Sequence, residues 1–167
     1  QWMLVPAMNR VLAKHEAPEL RAVVAMARPG PHMVAETTRA LSAAQKPITM
    51  RAHGFALGME GKRDMPLVMF REAMRMAEAE GAHHLAIACG LDIAHLELLR
   101  GNYEMAKYWG QWALTKLAGR NVSDDMRRLS AIAAIAYATL LAGSLEDARK
   151  LLAGLNPTSE QVLVPGI

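Results

Sequence analysis

Three segments of the chain, GKRDMP at 61–66, GNYEMA at 101–106 and GSLEDA at 143–148, share one pattern. Each begins with Gly, has an acidic residue in fourth place and ends in Pro or Ala, and each joins two apolar runs. Gly can adopt the positive φ that ends a helix, and an acidic residue stabilises the N-terminus of the next helix. Each segment therefore predicts the turn of a helix–turn–helix hairpin.

The spacing of these segments predicts how the hairpins pack. They recur about every 40 residues, which is within the range of stacked helical repeats. Seven residues before each turn Gly stands a very small residue, Gly54, Ala94 or Ala136. Small residues let antiparallel helices approach closely, so we expect Ala94 and Ala136 to be buried at helix crossings. We predict an all-α fold, a right-handed superhelix of antiparallel helix pairs that share one continuous core (an α-solenoid).

Apolar periodicity, Pro and Gly divide the chain into three parts. Residues 1–46 form a degenerate N-terminal capping repeat, with an amphipathic helix over 1–15 and helices over 18–28 and 33–44. Residues 47–155 contain the three helix pairs, and residues 156–167 form an extended tail or linker with Pro157 and Pro165. The predicted pairs are 48–59 with 64–79, 83–100 with 103–117, and 126–142 with 145–155.

Composition narrows the class of protein. Apolar residues make up 52% of the 167 residues and aromatic residues only 5%, a balance typical of helices packed on helices. The net charge of +3 is small and spread along the chain, so by itself it argues neither for nor against nucleic acid. Because the basic residues are interleaved with acidic ones, we expect no direct contact with nucleic acid. The single cysteine, Cys89, excludes an internal disulfide framework and fits a reducing, cytoplasmic location. The longest uncharged run, 129–145, falls short of the ~20 apolar residues of a membrane-spanning helix.

Over residues 47–155, the pattern of small and large residues resembles the tetratricopeptide-type (TPR-like) helical repeat. That family has small residues where paired helices cross, a Gly before the second helix and an Ala inside it. The three hairpins match these features with Gly54, Gly61 and Ala73; with Ala94, Gly101, Ala106 and Ala113; and with Ala136, Gly143 and Ala148. Phe70, Tyr103 and Leu145 match its large residues. The repeat is longer than the family's ~34 residues, and Gly90 and Gly110 stand where the family has aromatic residues. Long, Ala-rich repeats of this kind are similar to regions of large bacterial transcription regulators.

The resemblance implies a protein–protein interaction scaffold, a domain of a bacterial regulatory protein whose first helices line a concave groove. The alternative is a domain that senses a small-molecule effector. Residues four apart stay on one face of a helix, so equivalent residues of the three first helices should form three rows along the groove. The nine predicted groove residues are Arg51, Phe55, Met59, Leu91, His95, Leu99, Ala133, Tyr137 and Leu141. We predict that the groove holds an apolar helix or extended protein segment, with Phe55 and Tyr137 as anchors. Alternatively, neighbouring helices already cover these side chains.

Other residue groups give weaker signals. Trp109 and Trp112 share a helix face, and they either pack against a neighbouring repeat or form a second surface for a partner or for self-association. His83, His84, Cys89, Asp92 and His95 lack the spacing of a metal site, so we expect neither a metal nor a cofactor. No nucleophile, base or phosphate loop is arranged as in an enzyme, so we expect no catalytic residues.

Overall fold

The computed structural model describes residues 17–27, 30–118 and 125–153, and within them every regular element is an α-helix. The eight helices, in chain order, are α1 (Pro18–Met26), α2 (Met33–Ala43), α3 (Pro47–Met59), α4 (Asp64–Ala79), α5 (His83–Leu99), α6 (Tyr103–Leu117), α7 (Asp125–Leu141) and α8 (Leu145–Ala153). The predicted helix over 1–15, the tail over 156–167 and most of the predicted loop over 118–125 lie outside the described residues. In the part of the chain that is described, no helix combines the length and hydropathy needed to cross a membrane.

The helix ends lie close to their predicted positions. α4 and α6 begin and end at the predicted residues. α3 and α5 each differ from the predicted range by one residue at one end. α3 begins at Pro47 rather than Ile48, because Pro lacks the N–H that a first helical residue cannot use. Asp64, Glu104 and Glu146 lie in the first turns of α4, α6 and α8, as predicted from the repeated segments.

Four turns share one backbone conformation, in which a Gly has positive φ: 79° at Gly61, 69° at Gly81, 77° at Gly101 and 94° at Gly143. At the first turn, Gly61 N–H donates to Gly58 O at 2.9 Å and Lys62 N–H donates to Leu57 O at 3.1 Å. The same two hydrogen bonds recur in the other three turns. This is the Schellman motif, which satisfies the last helical carbonyls and reverses the chain. The repeated segments therefore predicted the place and the positive φ of three of these turns, at Gly61, Gly101 and Gly143.

The helices pack in chain order, each against the next in an antiparallel manner. In addition, α1 contacts α3, α3 contacts α5 and α5 contacts α7, so the odd-numbered helices form a layer of neighbours. Ala94 and Ala136 are buried, at 0% and 3% exposure, as predicted for residues at crossings. The result is an all-α stack of four hairpins with a core shared between consecutive pairs.

Three glycines inside helices, Gly54, Gly90 and Gly110, lie against bulky side chains of another helix. A Cβ added at Gly54 would lie 2.9 Å from the Phe70 ring. A Cβ at Gly90 would overlap the Trp112 ring, and one at Gly110 would lie 2.6 Å from Ile135. Gly90 and Gly110 thus replace the expected aromatic residues because a bulky side chain from another helix fills the same space.

A candidate binding face on the odd-numbered helices

One exposed row of large apolar side chains crosses α3, α5 and α7. Met59, Leu99 and Leu141 each lie two residues before a turn Gly, at equivalent positions of three consecutive hairpins. Their exposed fractions are 61%, 61% and 42%. Because the equivalent position is exposed in all three of these hairpins, the row belongs to the repeated architecture rather than to one irregular site.

The second predicted row, Phe55, His95 and Tyr137, is less uniform. Tyr137 is 55% exposed and His95 is exposed as well. Phe55 is half-buried, and it packs against two core clusters, one containing Phe70 and the other containing Met33. Tyr137 is therefore accessible to a partner, whereas much of the Phe55 ring already contributes to the core.

The third row contains an ion pair that sequence reasoning missed. Arg51 Nε donates to Asp92 Oδ2 at 2.5 Å, and Arg51 Nη2 donates to Oδ1 at 3.2 Å. The two side chains are only 23% and 18% exposed. In the same row Leu91 is half-buried and Ala133 is exposed. The Arg51 guanidinium, predicted to face the groove, is therefore already bound to a carboxylate of this chain.

Burial and the charges of Arg51 and Asp92 together shift the pKa values of the groups around this pair. Burial raises the pKa of Asp92, against the opposing effect of the Arg51 charge. For Arg51, burial lowers the pKa, but the charge and hydrogen bond of Asp92 outweigh it and the pKa is raised. Burial, together with the Asp92 charge, raises the pKa of the Cys89 thiol to about 12. Cys89 is fully buried, so its thiol stays protonated and shielded at neutral pH.

The His, Cys and Asp side chains of α5 that could bind a metal differ in exposure and in their partners. His83, His84 and His95 are exposed, whereas Cys89 is buried and Asp92 is bound to Arg51. In the described ranges, no group of three or more His, Cys, Asp or Glu side chains is placed to hold a metal ion.

The two tryptophans of α6 pack between hairpins. Their rings meet edge to face, with centroids 5.6 Å apart. Trp109 packs against the cluster that contains Phe70 and Ile93, and Trp112 lies against Gly90. Lys116 Nζ lies 5.5 Å from the centre of the Trp112 ring. Both indoles are half-buried, so each contributes to packing while part of its ring stays accessible to solvent.

A half-open cleft lies where the start of α2 meets the end of α3. Its volume is about 340 Å³, and Pro31, Met33, Val34, Ala56 and Met59 contribute to its lining. Nothing in the sequence pattern predicted this cleft. Met59 belongs both to this cleft and to the exposed row.

Comparisons with protein-family models, with curated proteins and with solved structures found no match.

Proposed function

We propose that the chain is a protein-interaction module of the tetratricopeptide type, and that the face of α3, α5 and α7 binds a segment of another protein. The observation that supports this best is the exposed row of Met59, Leu99 and Leu141, with Tyr137 beside it. Contiguous exposed apolar side chains mark interaction sites on proteins, whereas scattered ones do not. In this proposal the module has no catalytic role, cofactor or nucleic-acid contact of its own.

The finer architecture is part of the proposal. Repetition of the same turn in consecutive hairpins, and contacts between successive odd-numbered helices, support a right-handed superhelix with the row on its concave side. By resemblance, the module belongs to a cytoplasmic bacterial transcription regulator, where such a surface would hold a regulatory partner segment.

The spacing of the side chains in the row limits the spacing of apolar side chains in a bound partner segment. Helices in contact have axes about 8–10 Å apart, so neighbouring side chains of the row are separated by a similar distance. A bound α-helix advances about 10.5 Å in seven residues, and a polyproline II segment advances about 9 Å in three. The partner should therefore present apolar side chains at i, i+7 and i+14 if helical, or at i, i+3 and i+6 if extended.

A peptide selection tests this proposal. Displayed random peptides of about 15 residues, the length of two heptads plus one anchor, are selected against the intact chain, and the enriched sequences are measured by calorimetry. Leu99→Asp, in the middle of the row, should abolish binding. Val68→Asp introduces the same charge at a 60% exposed position on α4 and should leave binding intact. Enrichment that is equal on the Leu99→Asp variant would refute the proposed face.

The cleft between α2 and α3 supports a second candidate, an effector-sensing domain. Its volume of about 340 Å³ is within the range of small-molecule sites, and Met33, Val34 and Ala56 make part of its wall apolar. An anilinonaphthalene sulfonate dye is a suitable probe. Val34→Trp should fill the cleft and reduce dye fluorescence, whereas Val23→Trp, at an exposed position on α1, should not. Equal fluorescence from both variants would leave the cleft without a binding role.

A further inference from the structure

The cleft between the start of α2 and the end of α3 has a pre-formed apolar floor. Met33 and Ala56, which line it, are 2% and 0% exposed and belong to one core cluster with Ala25. Val34, also in the lining, packs against this cluster. Close-packed core side chains keep their positions, so the floor offers a fixed apolar surface to a ligand.

Among the described residues, a single charged side chain contributes to this lining, the carboxylate of Glu60. Glu60 is exposed and directly follows Met59 at the end of α3. No described side chain donates a hydrogen bond to its carboxylate or forms an ion pair with it, although Lys62 and Arg63 follow in the same turn. The cleft therefore presents a negative charge that the described part of the chain does not pair.

His53, on the same helix, does not neutralise this charge. Burial lowers the pKa of His53, and the Glu60 charge opposes that effect without outweighing it. A histidine whose pKa lies below the usual value of about 6.5 is mainly uncharged at neutral pH. The Glu60 carboxylate is thus close enough to act on His53 but gains no counter-charge from it.

We propose that the cleft binds a small organic cation, an ammonium or guanidinium group attached to an apolar body, with Glu60 as its counter-charge. The apolar body lies against Met33, Val34 and Ala56, and the cation meets Glu60. An anion of the same shape would meet the carboxylate and find no cationic side chain in the described lining. The volume of about 340 Å³ is near the lower end of the range for small-molecule sites, so the ligand is small. This inference rests on the proposed effector-sensing function and names the class of its ligand.

Three probes that share a phenylethyl body and differ in charge test the inference: phenethylammonium, phenethyl alcohol and hydrocinnamate. Each is titrated into the intact chain, and its affinity is read from the shifts of backbone amide signals in NMR spectra. The signals of Val34 and Ala56 should move, and phenethylammonium should bind roughly three- to fivefold more tightly than the alcohol, as expected for a solvent-exposed ion pair. Hydrocinnamate should bind most weakly. Equal affinities for the cation and the alcohol would overturn the proposal.

Glu60→Gln removes the charge and keeps the shape of the side chain. It should reduce the affinity for phenethylammonium to that for the alcohol, and leave the affinity for the alcohol itself unchanged. Glu80→Gln is the matched control, because Glu80 is also exposed and also directly precedes a turn Gly with positive φ, but does not line the cleft. It should bind all three probes like the parent. Full preference for the cation in Glu60→Gln would also overturn the proposal.

Val34→Trp separates a failure of the cation preference from a failure of the effector-sensing function. Its circular dichroism spectrum should match that of the parent. If all three probes bind with equal affinity and all are lost in Val34→Trp, the cleft is a small-molecule site that does not select a cation, and only the cation preference is refuted. If the probes move no amide signal of the cleft, and the anilinonaphthalene sulfonate fluorescence is the same in Val34→Trp and Val23→Trp, the cleft binds no effector and both proposals are refuted.

Discussion

Arg51 on α3 and Asp92 on α5 form a two-point ion pair between helices of consecutive hairpins. The pair lies on the exposed side of the odd-numbered layer but is largely shielded from water. It links α3 directly to α5, two neighbouring helices of the layer that carries the exposed row. The stability of the stack should depend on both partners being present.

Replacing one partner of this pair should be costly. Asp92→Asn leaves the shielded Arg51 guanidinium without its counter-charge, and should lower the free energy of unfolding by about 1.5–3 kcal/mol. Arg51→Met combined with Asp92→Leu removes both charges and should recover most of the loss. Urea unfolding gives the comparison. Glu72→Gln breaks the exposed Arg75–Glu72 pair and is the control, expected to show no measurable change. Equal losses in the single and double variants would mean that packing, not charge, dominates at this place.

Two helical glycines should respond to alanine in opposite directions. Gly90→Ala puts a methyl group into the Trp112 ring, and should destabilise the fold by about 1–3 kcal/mol through overpacking. Gly58→Ala meets nothing closer than Pro66 Cγ at 3.9 Å, and should stabilise it by about 0.4–1 kcal/mol because the unfolded chain loses freedom. Thermal unfolding midpoints of the two variants against the parent provide the test. Midpoints that move in the same direction would contradict the close approach at Gly90.

The two predicted anchor residues should separate folding from binding. Phe55→Ala removes a ring that packs against two clusters, and should cost about 2–3 kcal/mol, below the 3–5 kcal/mol of a fully buried Phe. Tyr137→Ala alters an exposed side chain and should leave the unfolding midpoint nearly unchanged while weakening peptides selected against the parent face. Titration calorimetry and urea unfolding measured on the same samples distinguish the two effects. Full affinity in Tyr137→Ala would exclude it as an anchor.

His53 should make stability depend on pH. Burial lowers its pKa, against the opposing effect of Glu60, and its Nδ1 lies 3.2 Å from the buried Thr37 hydroxyl. The folded state therefore takes up the proton less readily than the unfolded state. Its contribution is present above the unfolded pKa of about 6.5 and is lost as the pH falls through that value towards the lower folded pKa. His53→Gln should flatten the change in urea midpoint between about pH 7.5 and about pH 5.5. A parent midpoint that rises on acidification over this range, and does so only with His53 present, would reverse the sign.

The sequence predicted the local structure better than the contacts between distant residues. Gly61, Gly101 and Gly143 marked the turns because few residues other than Gly adopt positive φ there. The Arg51–Asp92 pair escaped detection because it joins residues 41 apart, and it forms only when two hairpins stack in one register. That separation is about one repeat, so a search for opposite charges one repeat apart could have found it.

The candidate face was predictable in its outline but not in the role of each residue. Periodicity placed Met59, Leu99 and Leu141 at equivalent positions, and these side chains are exposed. Nothing in the pattern distinguished Phe55, which turns partly into the core, from Tyr137, which does not. That difference arises from the neighbours of each helix: α3 packs against α1, α2, α4 and α5, whereas the described contacts of α7 are with α5, α6 and α8.

The chain-order packing of the helices also bears on how the molecule opens. Each helix draws most of its contacts from neighbours in sequence, so unfolding can proceed hairpin by hairpin from an end rather than as one event. α8 contacts α7 and buries a single residue, Ala148, whereas α5 lies between α4, α6, α3 and α7. Amide protons of α8 should therefore exchange with solvent fastest and those of α5 slowest, giving a gradient of protection that follows the position of each hairpin in the stack.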